Sequence, residues 1–119
     1  MTKTLYLTID DAPSADCINK LDFLDARGIQ AVWFAEGRYI EVRPDAALEI
    51  VKRGHILGNH SYSHPQFSSI PLDDCIEEIV KTNTLIKQIY TRAGVLWKQR
   101  YFRFPFGDKG DGLYGKVDG

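Results

Sequence analysis

No run of about 18 uninterrupted apolar residues occurs in this chain, which excludes a membrane-spanning helix. Neither sign of charge dominates: 15 Lys and Arg stand against 16 Asp and Glu, for a net charge of -1. They form no basic stripe suited to a phosphate backbone and no cationic amphipathic helix suited to a lipid surface, so neither nucleic acid nor membrane is an expected partner. Cysteine occurs only as Cys17 and Cys75, each on the apolar stripe of a predicted helix. Small, buried, reduced thiols are expected there in preference to a disulfide or metal ligands. Histidine is confined to His55, His60 and His64. There is no internal repeat or low-complexity tract, and no linker ahead of the glycine-rich tail from Gly107 to Gly119. Met1 to Tyr6 lacks the charged, long-apolar and small-residue regions of a secretory signal. The expected location is cytoplasmic, or secreted with the leader removed. What is present, 119 residues of which 44% are hydrophobic, suffices for one ordinary soluble domain with a buried core.

Hydrophobic spacing divides the chain into alternating strands and helices. Leu5, Leu7 and Ile9 alternate with Tyr6 and Thr8, which predicts a strand over Thr4 to Ile9 that ends at the acidic pair Asp10 and Asp11. Ser14 is suited to cap a helix running to about Arg27, with Cys17, Ile18, Leu21 and Leu24 on one face and Gly28 as its terminator. Ile29 to Ala35 is β-branched and aromatic and reads as a nearly fully buried strand. Pro44 and Gly54 frame a helix carrying Ala47, Leu48, Ile50 and Val51. His55 to Leu57 forms a short third strand. From Pro71 to about Ala93 the stripe Leu72, Cys75, Ile76, Ile79, Val80, Asn83, Ile86, Ile89 and Tyr90 keeps helical spacing, and Gly94 stops it. Tyr101 to Phe104 reads as a fourth strand leading into Pro105. This order predicts an α/β fold of about four parallel strands with crossover helices, a class in which active sites lie at strand C-termini.

Three stretches at those C-terminal ends carry the chemistry: Thr8-Ile9-Asp10-Asp11, His60-Ser61-Tyr62-Ser63-His64 and Arg103-Phe104-Pro105-Phe106-Gly107. His60 and His64, four apart, can aim both rings at one point, and a carboxylate from another strand completes a face of two imidazoles and one carboxylate with open positions. Taken singly, the histidines are also compatible with loop residues capping backbone groups, and the adjacent acids with a solvated turn. Consecutive residues cannot easily both bind one ion. If one of Asp10 and Asp11 is a ligand, the other is free to act as general base. Arg103, beside a turn stiffened by Pro105, can aim that base, while the amide of Phe106 meets a developing oxyanion. His55, ahead of the third strand, is read as structural, and Trp33 and Trp97 as core or rim packing.

These stretches resemble the polysaccharide deacetylases of the NodB-homology type, carbohydrate esterase family four. The family's first motif, Thr-Phe-Asp-Asp-Gly, is matched by Thr8 to Ala12. Its second, His-Ser/Thr-x-x-His, is matched in full by His60 to His64, flanked by the fitting Gly58, Asn59 and Pro65. Its third, Arg-Pro-Pro-Tyr-Gly, is similar to Arg103 to Gly107. Ala31-Val32-Trp33-Phe34 followed by Gly37 also resembles the family's second strand. The resemblance implies Asp10 as general base, Asp11, His60 and His64 as ligands of a divalent metal, most often zinc, with cobalt or another transition metal as alternatives. It also implies Arg103 as the residue steadying the base and Phe106 as the oxyanion donor through its amide. The implied fold is a distorted (β/α) barrel, and the implied reaction is removal of N- or O-acetyl groups from an acetylated carbohydrate.

Residues 1–119 depart from the family pattern in lacking its fourth motif, with an Asp and a Trp, and its fifth, whose histidine is the general acid. Ala12 stands for Gly and Phe106 for Tyr. The chain is therefore expected to be the N-terminal portion of such a domain, a partial barrel truncated at the C-terminus. It is expected to bind metal with weak or no turnover and to self-associate through exposed sheet edges. The alternative is a non-catalytic, deacetylase-like module that binds a glycan or partner. A non-haem iron oxygenase shares the ligand types but sits on a β-rich double-sheet fold, which this element order does not provide.

Overall fold

The structure, a computed structural model, describes residues 7–108. Its elements run β1 (Leu7–Ala12), α1 (Cys17–Ala26), β2 (Ala31–Ala35), α2 (Gly37–Val42), α3 (Pro44–Lys52), β3 (Ile56–Asn59) and α4 (Leu72–Ala93), with 3₁₀ turns at Phe67–Ser69 and Pro105–Gly107. The strands form a parallel sheet in the order β1-β2-β3. No helix among the described residues is long and apolar enough to cross a membrane. β2 is central and all five of its residues are buried, as its uninterrupted apolar run predicts. Trp33 on β2, Leu21 on α1, Ile50 on α3, Leu57 on β3 and Ile86 on α4 are all inaccessible and join the sheet to the helices around it. Trp97, partly buried, stacks on Tyr90. Both tryptophans are thus packing residues.

Several expectations require correction. The first strand runs through the acidic pair instead of ending before it, and the expected residues Thr4 to Tyr6 lie outside the described ones. Asp16, not Ser14, occupies the cap position of α1, and Ile18 is exposed there. The short helix α2 is not expected from sequence because Gly37 reads as a breaker; it is the first residue of the helix, where its N–H has no intrahelical acceptor and donates to the Ser61 carbonyl at 2.9 Å. Cys17 is buried but Cys75 only half-buried, and neither is in a disulfide. In the first half of the α4 stripe Leu72 at 73%, Ile76 at 50% and Val80 at 54% are exposed, while Cys75 and Ile79 are half-buried.

The fourth strand is reduced to one parallel bridge between Asn59 and Phe102. Asn59 donates its N–H to the carbonyl of Tyr101 at 2.8 Å and accepts the N–H of Arg103 at 2.9 Å. Two residues earlier, the outward N–H of Leu57 is taken instead by the hydroxyl of Tyr90 at 3.0 Å. A side chain thus occupies the edge where a longer strand would pair, and beyond Phe104 the chain turns at Pro105, which has no N–H to offer.

Candidate metal centre

β1 solves the problem of two adjacent acids by breaking its own pleat. In a regular strand Asp10 and Asp11 would point to opposite faces. Here Asp10 pairs with Phe34 and Ala12 with Ala35, leaving Asp11 in a bulge with φ of 61°. Both carboxylates consequently line one cleft of ≈ 590 Å³, together with Phe34, His60, His64, Phe102, Arg103, Phe104, Phe106 and Gly107. Every residue singled out in the three motifs for chemistry is brought to this cleft.

The donor atoms of Asp11, His60 and His64 all lie within 4.8 Å of one another. Oδ1 of Asp11 is 3.5 Å from Nε2 of His60 and 3.5 Å from Nε2 of His64. Those distances exceed the usual N–H···O range of about 2.7–3.2 Å. They match donors that share an ion: two atoms each about 2.1 Å from a tetrahedral centre lie roughly 3.4 Å apart. The ring of His60 is oriented for this, because its Nδ1 is 2.8 Å from the carbonyl oxygen of Arg103, which can only accept. The proton therefore sits on Nδ1, leaving the Nε2 lone pair facing Asp11. His64 is packed edge-to-face on Phe106, with centroids 4.7 Å apart.

Arg103 reaches from the third motif to the first, with Nη1 2.8 Å from Oδ1 of Asp10 and 3.2 Å from Oγ1 of Thr8. Its guanidinium lies over the ring of Phe34, 4.4 Å from the centroid. The pair is half open to solvent, where such bridges contribute about 0–1 kcal/mol, so its consequence is orientation more than stability. Behind Asp11 lies Glu36, only 2% exposed and 2.7 Å from Nε of Arg38. Burial pushes its carboxyl above the usual carboxylate range and a hydrogen bond with Asp11 adds to this, while Arg38 opposes it.

The loop between the two histidines is held by the side chains of Asn59 and Glu78 from outside it and by that of its own Ser61. Ser61 N–H donates to Oδ1 of Asn59 at 2.8 Å, Tyr62 and Ser63 N–H to Oε1 of Glu78 at 3.0 and 2.8 Å, and His64 N–H to Oγ of Ser61 at 3.0 Å. The carbonyls of Ser61 and Tyr62 in turn accept the N–H groups of Gly37 and Arg38, two amides that α2 leaves unpaired at its start. Among the described residues the non-glycine positions with left-handed φ are Asp11, Ser61, His64 and Phe106, all of them in the three motifs. Such backbone costs about 1–3 kcal/mol per residue and persists where surrounding contacts dictate it. At Phe106 it leaves an N–H with no backbone acceptor among the described residues. Phe34, Phe102 and Phe104 in the cleft, and Asn59, Glu36 and Glu78 behind it, have no role assigned from sequence; Phe34, Asn59 and Phe104 carry a signal only as parts of the second-strand match, the run before His60 and the third motif.

His55 lies at the other end of β3. Its Nδ1 accepts the N–H of Ala31 at 3.0 Å, and its Nε2 is 2.9 Å from Oδ1 of Asp25, which fits the structural role expected for it.

The sequence model of the polysaccharide deacetylase family matches residues 1–116. The chain is similar to the peptidoglycan-N-acetylglucosamine deacetylase of Bacillus cereus, 32% identical over 103 residues that cover 86% of this chain and 36% of that protein. Among solved structures it resembles the peptidoglycan deacetylase PdaC from Bacillus subtilis, with a TM-score of 0.79 and 28% identity, over 92% of this chain and 52% of that one. It also resembles a family 4 carbohydrate esterase from Streptomyces lividans solved in complex with acetate, with a TM-score of 0.76 and 31% identity, over 87% of this chain and 51% of that one. The chain thus spans between about a third and about half of the length of these relatives.

Proposed function

The chain belongs to the polysaccharide deacetylase family, and from that membership we propose that it carries the metal- and base-bearing part of a carbohydrate deacetylase site, acting on N- or O-acetyl groups. The observation that carries this is the meeting of Asp11, His60 and His64 beside the Asp10–Arg103 pair in one cleft. Under this proposal residues 1–119 form the N-terminal portion of a domain whose full form is a distorted (β/α) barrel.

Asp11, His60 and His64 would hold a divalent cation, zinc first and cobalt or another transition metal as alternatives, since two imidazoles and a carboxylate leave positions open. When bound, such an ion supplies Lewis-acid polarisation of the acyl carbonyl and a lowered pKa for water. Asp10, aimed by Arg103, takes the proton from the attacking water. The N–H of Phe106 meets the charge that develops on the acyl oxygen. His60 keeps its Nε2 lone pair in place through Nδ1 and the Arg103 carbonyl. The leaving amine then needs a proton. Within these residues His60 and His64 serve as ligands and His55 is bound at the far end of its strand, so no imidazole remains for that step and turnover by the chain alone is expected to be weak or nil.

Acetate release from an N-acetylated chitooligosaccharide in the presence of zinc tests the proposal. Release that disappears in Asp10→Asn supports hydrolysis by this site. Binding of the oligosaccharide without release, even when imidazole is added to supply the missing proton donor, supports the glycan-binding alternative, and an absence of both overturns the carbohydrate assignment. A further consequence concerns β1, which pairs on one side only among the described residues and has the exposed Leu7 and Phe23 nearby. Self-association across that edge is proposed, and sedimentation showing a sharp monomer would count against it.

A further inference from the structure

We propose that Glu78 is a positioning residue for the metal site: its carboxylate, projecting from α4, fixes the loop whose two ends are His60 and His64. The role rests on Asp11, His60 and His64 being the ligand set, and it goes further by naming a residue that touches neither ligand ring.

The four consecutive N–H groups of Ser61 to His64 all donate to side chains, and Glu78 receives the middle two on a single oxygen, Oε1. Its other oxygen, Oε2, accepts the hydroxyl of Ser63 at 2.9 Å. The remaining two N–H groups have partners local to the motif, Asn59 and Ser61. Glu78 therefore ties the N–H groups at the centre of the loop to α4, as α2 ties the carbonyls of Ser61 and Tyr62. It has much to hold, because Ser61 and His64 are both in the left-handed region, with φ of 68° and 61°. A chain released from that conformation relaxes toward φ below zero, which swings the His64 ring away from Asp11. The helix that carries Glu78 makes a firm support, since α4 is 22 residues long and is anchored beneath the sheet by the buried Ile86, Ile89 and Tyr90. The same helix receives the side-chain amide of Asn59 on the Ile79 carbonyl at 3.0 Å and on Asn83 Oδ1 at 2.8 Å. Loss of a hydrogen bond made directly to a metal ligand typically costs about 10–100-fold in metal affinity, and for Glu78, which acts on the ligands through the loop backbone, the lower end of that range is expected.

Zinc affinity, measured by competition with a chromophoric chelator, decides the matter in the unaltered chain, Glu78→Ala, Glu78→Asp, Glu78→Gln, and the controls Glu77→Ala and His60→Ala. Glutamine keeps the reach: its Oε1 can accept both N–H groups and its amide can donate to the Ser63 hydroxyl, although the charge is gone. Aspartate keeps the charge and loses the reach. Glu78→Ala and Glu78→Asp are expected to weaken zinc binding by about tenfold or more, while Glu78→Gln and Glu77→Ala stay close to the unaltered chain. Should Glu78→Ala not fold, the Asp and Gln pair gives the same answer. Equal affinity in Glu78→Asp, or a loss in Glu78→Gln matching that in Glu78→Asp, overturns the proposal, the latter by assigning the effect to charge. If the unaltered chain takes up no zinc, or His60→Ala retains it, the ligand assignment fails and the role of Glu78 with it. If the chain binds through His60 and the Glu78 variants bind equally well, only Glu78 is wrong.

Discussion

Arg103 and Asp10, 93 residues apart in sequence, meet with Nη1 2.8 Å from Oδ1, while the guanidinium lies over the face of Phe34. The contact is half exposed and therefore contributes little to folding. Arg103→Ala should leave stability within about 1 kcal/mol of the unaltered protein, as expected for an open ion pair. In a form of the protein that turns over, acetate release should fall by about tenfold or more, because the base, whose class of step is worth about 10²–10⁴-fold, loses its aim. Zinc affinity should not change. A rate that is unaffected would remove Arg103 from the mechanism.

Gly37 has no room for a side chain. A Cβ placed there would lie 2.6 Å from Oγ1 of Thr82 and 2.6 Å from Cδ1 of Tyr62, the latter in the metal loop. Gly37→Ala should cost about 1–3 kcal/mol, the usual range for forced overpacking, and should weaken zinc binding as Tyr62 is displaced. Denaturant midpoints and a zinc titration on the same sample measure both effects. A variant that is destabilised with zinc affinity unchanged would show that the loop tolerates the shift.

The hydroxyl of Tyr90 takes the Leu57 N–H where a fourth strand would otherwise pair. Tyr90→Phe preserves the ring and its stacking on Trp97 but leaves that N–H without an acceptor. Loss of about 1–3 kcal/mol is expected, the range for a buried donor left unsatisfied. Urea unfolding checks it, and a neutral result would mean that water replaces the hydroxyl.

Asp25 carries a pH dependence whose sign is set by its partners. The hydrogen bond from His55 is the main cause that holds its carboxyl below the ordinary value of 3.8; that from Arg53 adds to it, and burial opposes. A depressed folded-state pKa stabilises the fold above the unfolded value, and that contribution is lost as pH falls through the folded value. Asp25→Asn should therefore be less stable than the unaltered protein at neutral pH, with the gap closing as the pH drops below the ordinary carboxylate range. A gap that does not vary with pH would assign the effect to packing.

The site is legible in the sequence to the extent that its chemistry is contiguous. Asp10 and Asp11, His60 and His64, and Arg103 with Phe106 each occur within one short stretch whose residue types point to the roles proposed for them, and strand order puts all three at one end of a parallel sheet. The bulge that turns Asp11 toward the histidines is not legible, because Ala12 and Pro13 carry no signature of a broken register. Glu78 lies 15 residues from the loop it contacts, on the polar face of a helix where an acid is expected for solvation alone. Helical periodicity gives the extent of α4 closely, yet it reports only which residues share a face. Whether anything covers Leu72, Ile76 and Val80 is a tertiary property, and among the described residues they are exposed. The fourth strand is overestimated from sequence for a similar reason, since its residues suit a strand but part of its partner edge, the Leu57 N–H, is taken by Tyr90.

Anomalous diffraction at the zinc edge, from crystals grown with saturating zinc, tests the central claim most directly. One peak within bonding distance of Asp11 Oδ1 and of Nε2 on both His60 and His64 is the predicted result. Strong zinc sites elsewhere, with nothing between those three side chains, would contradict it.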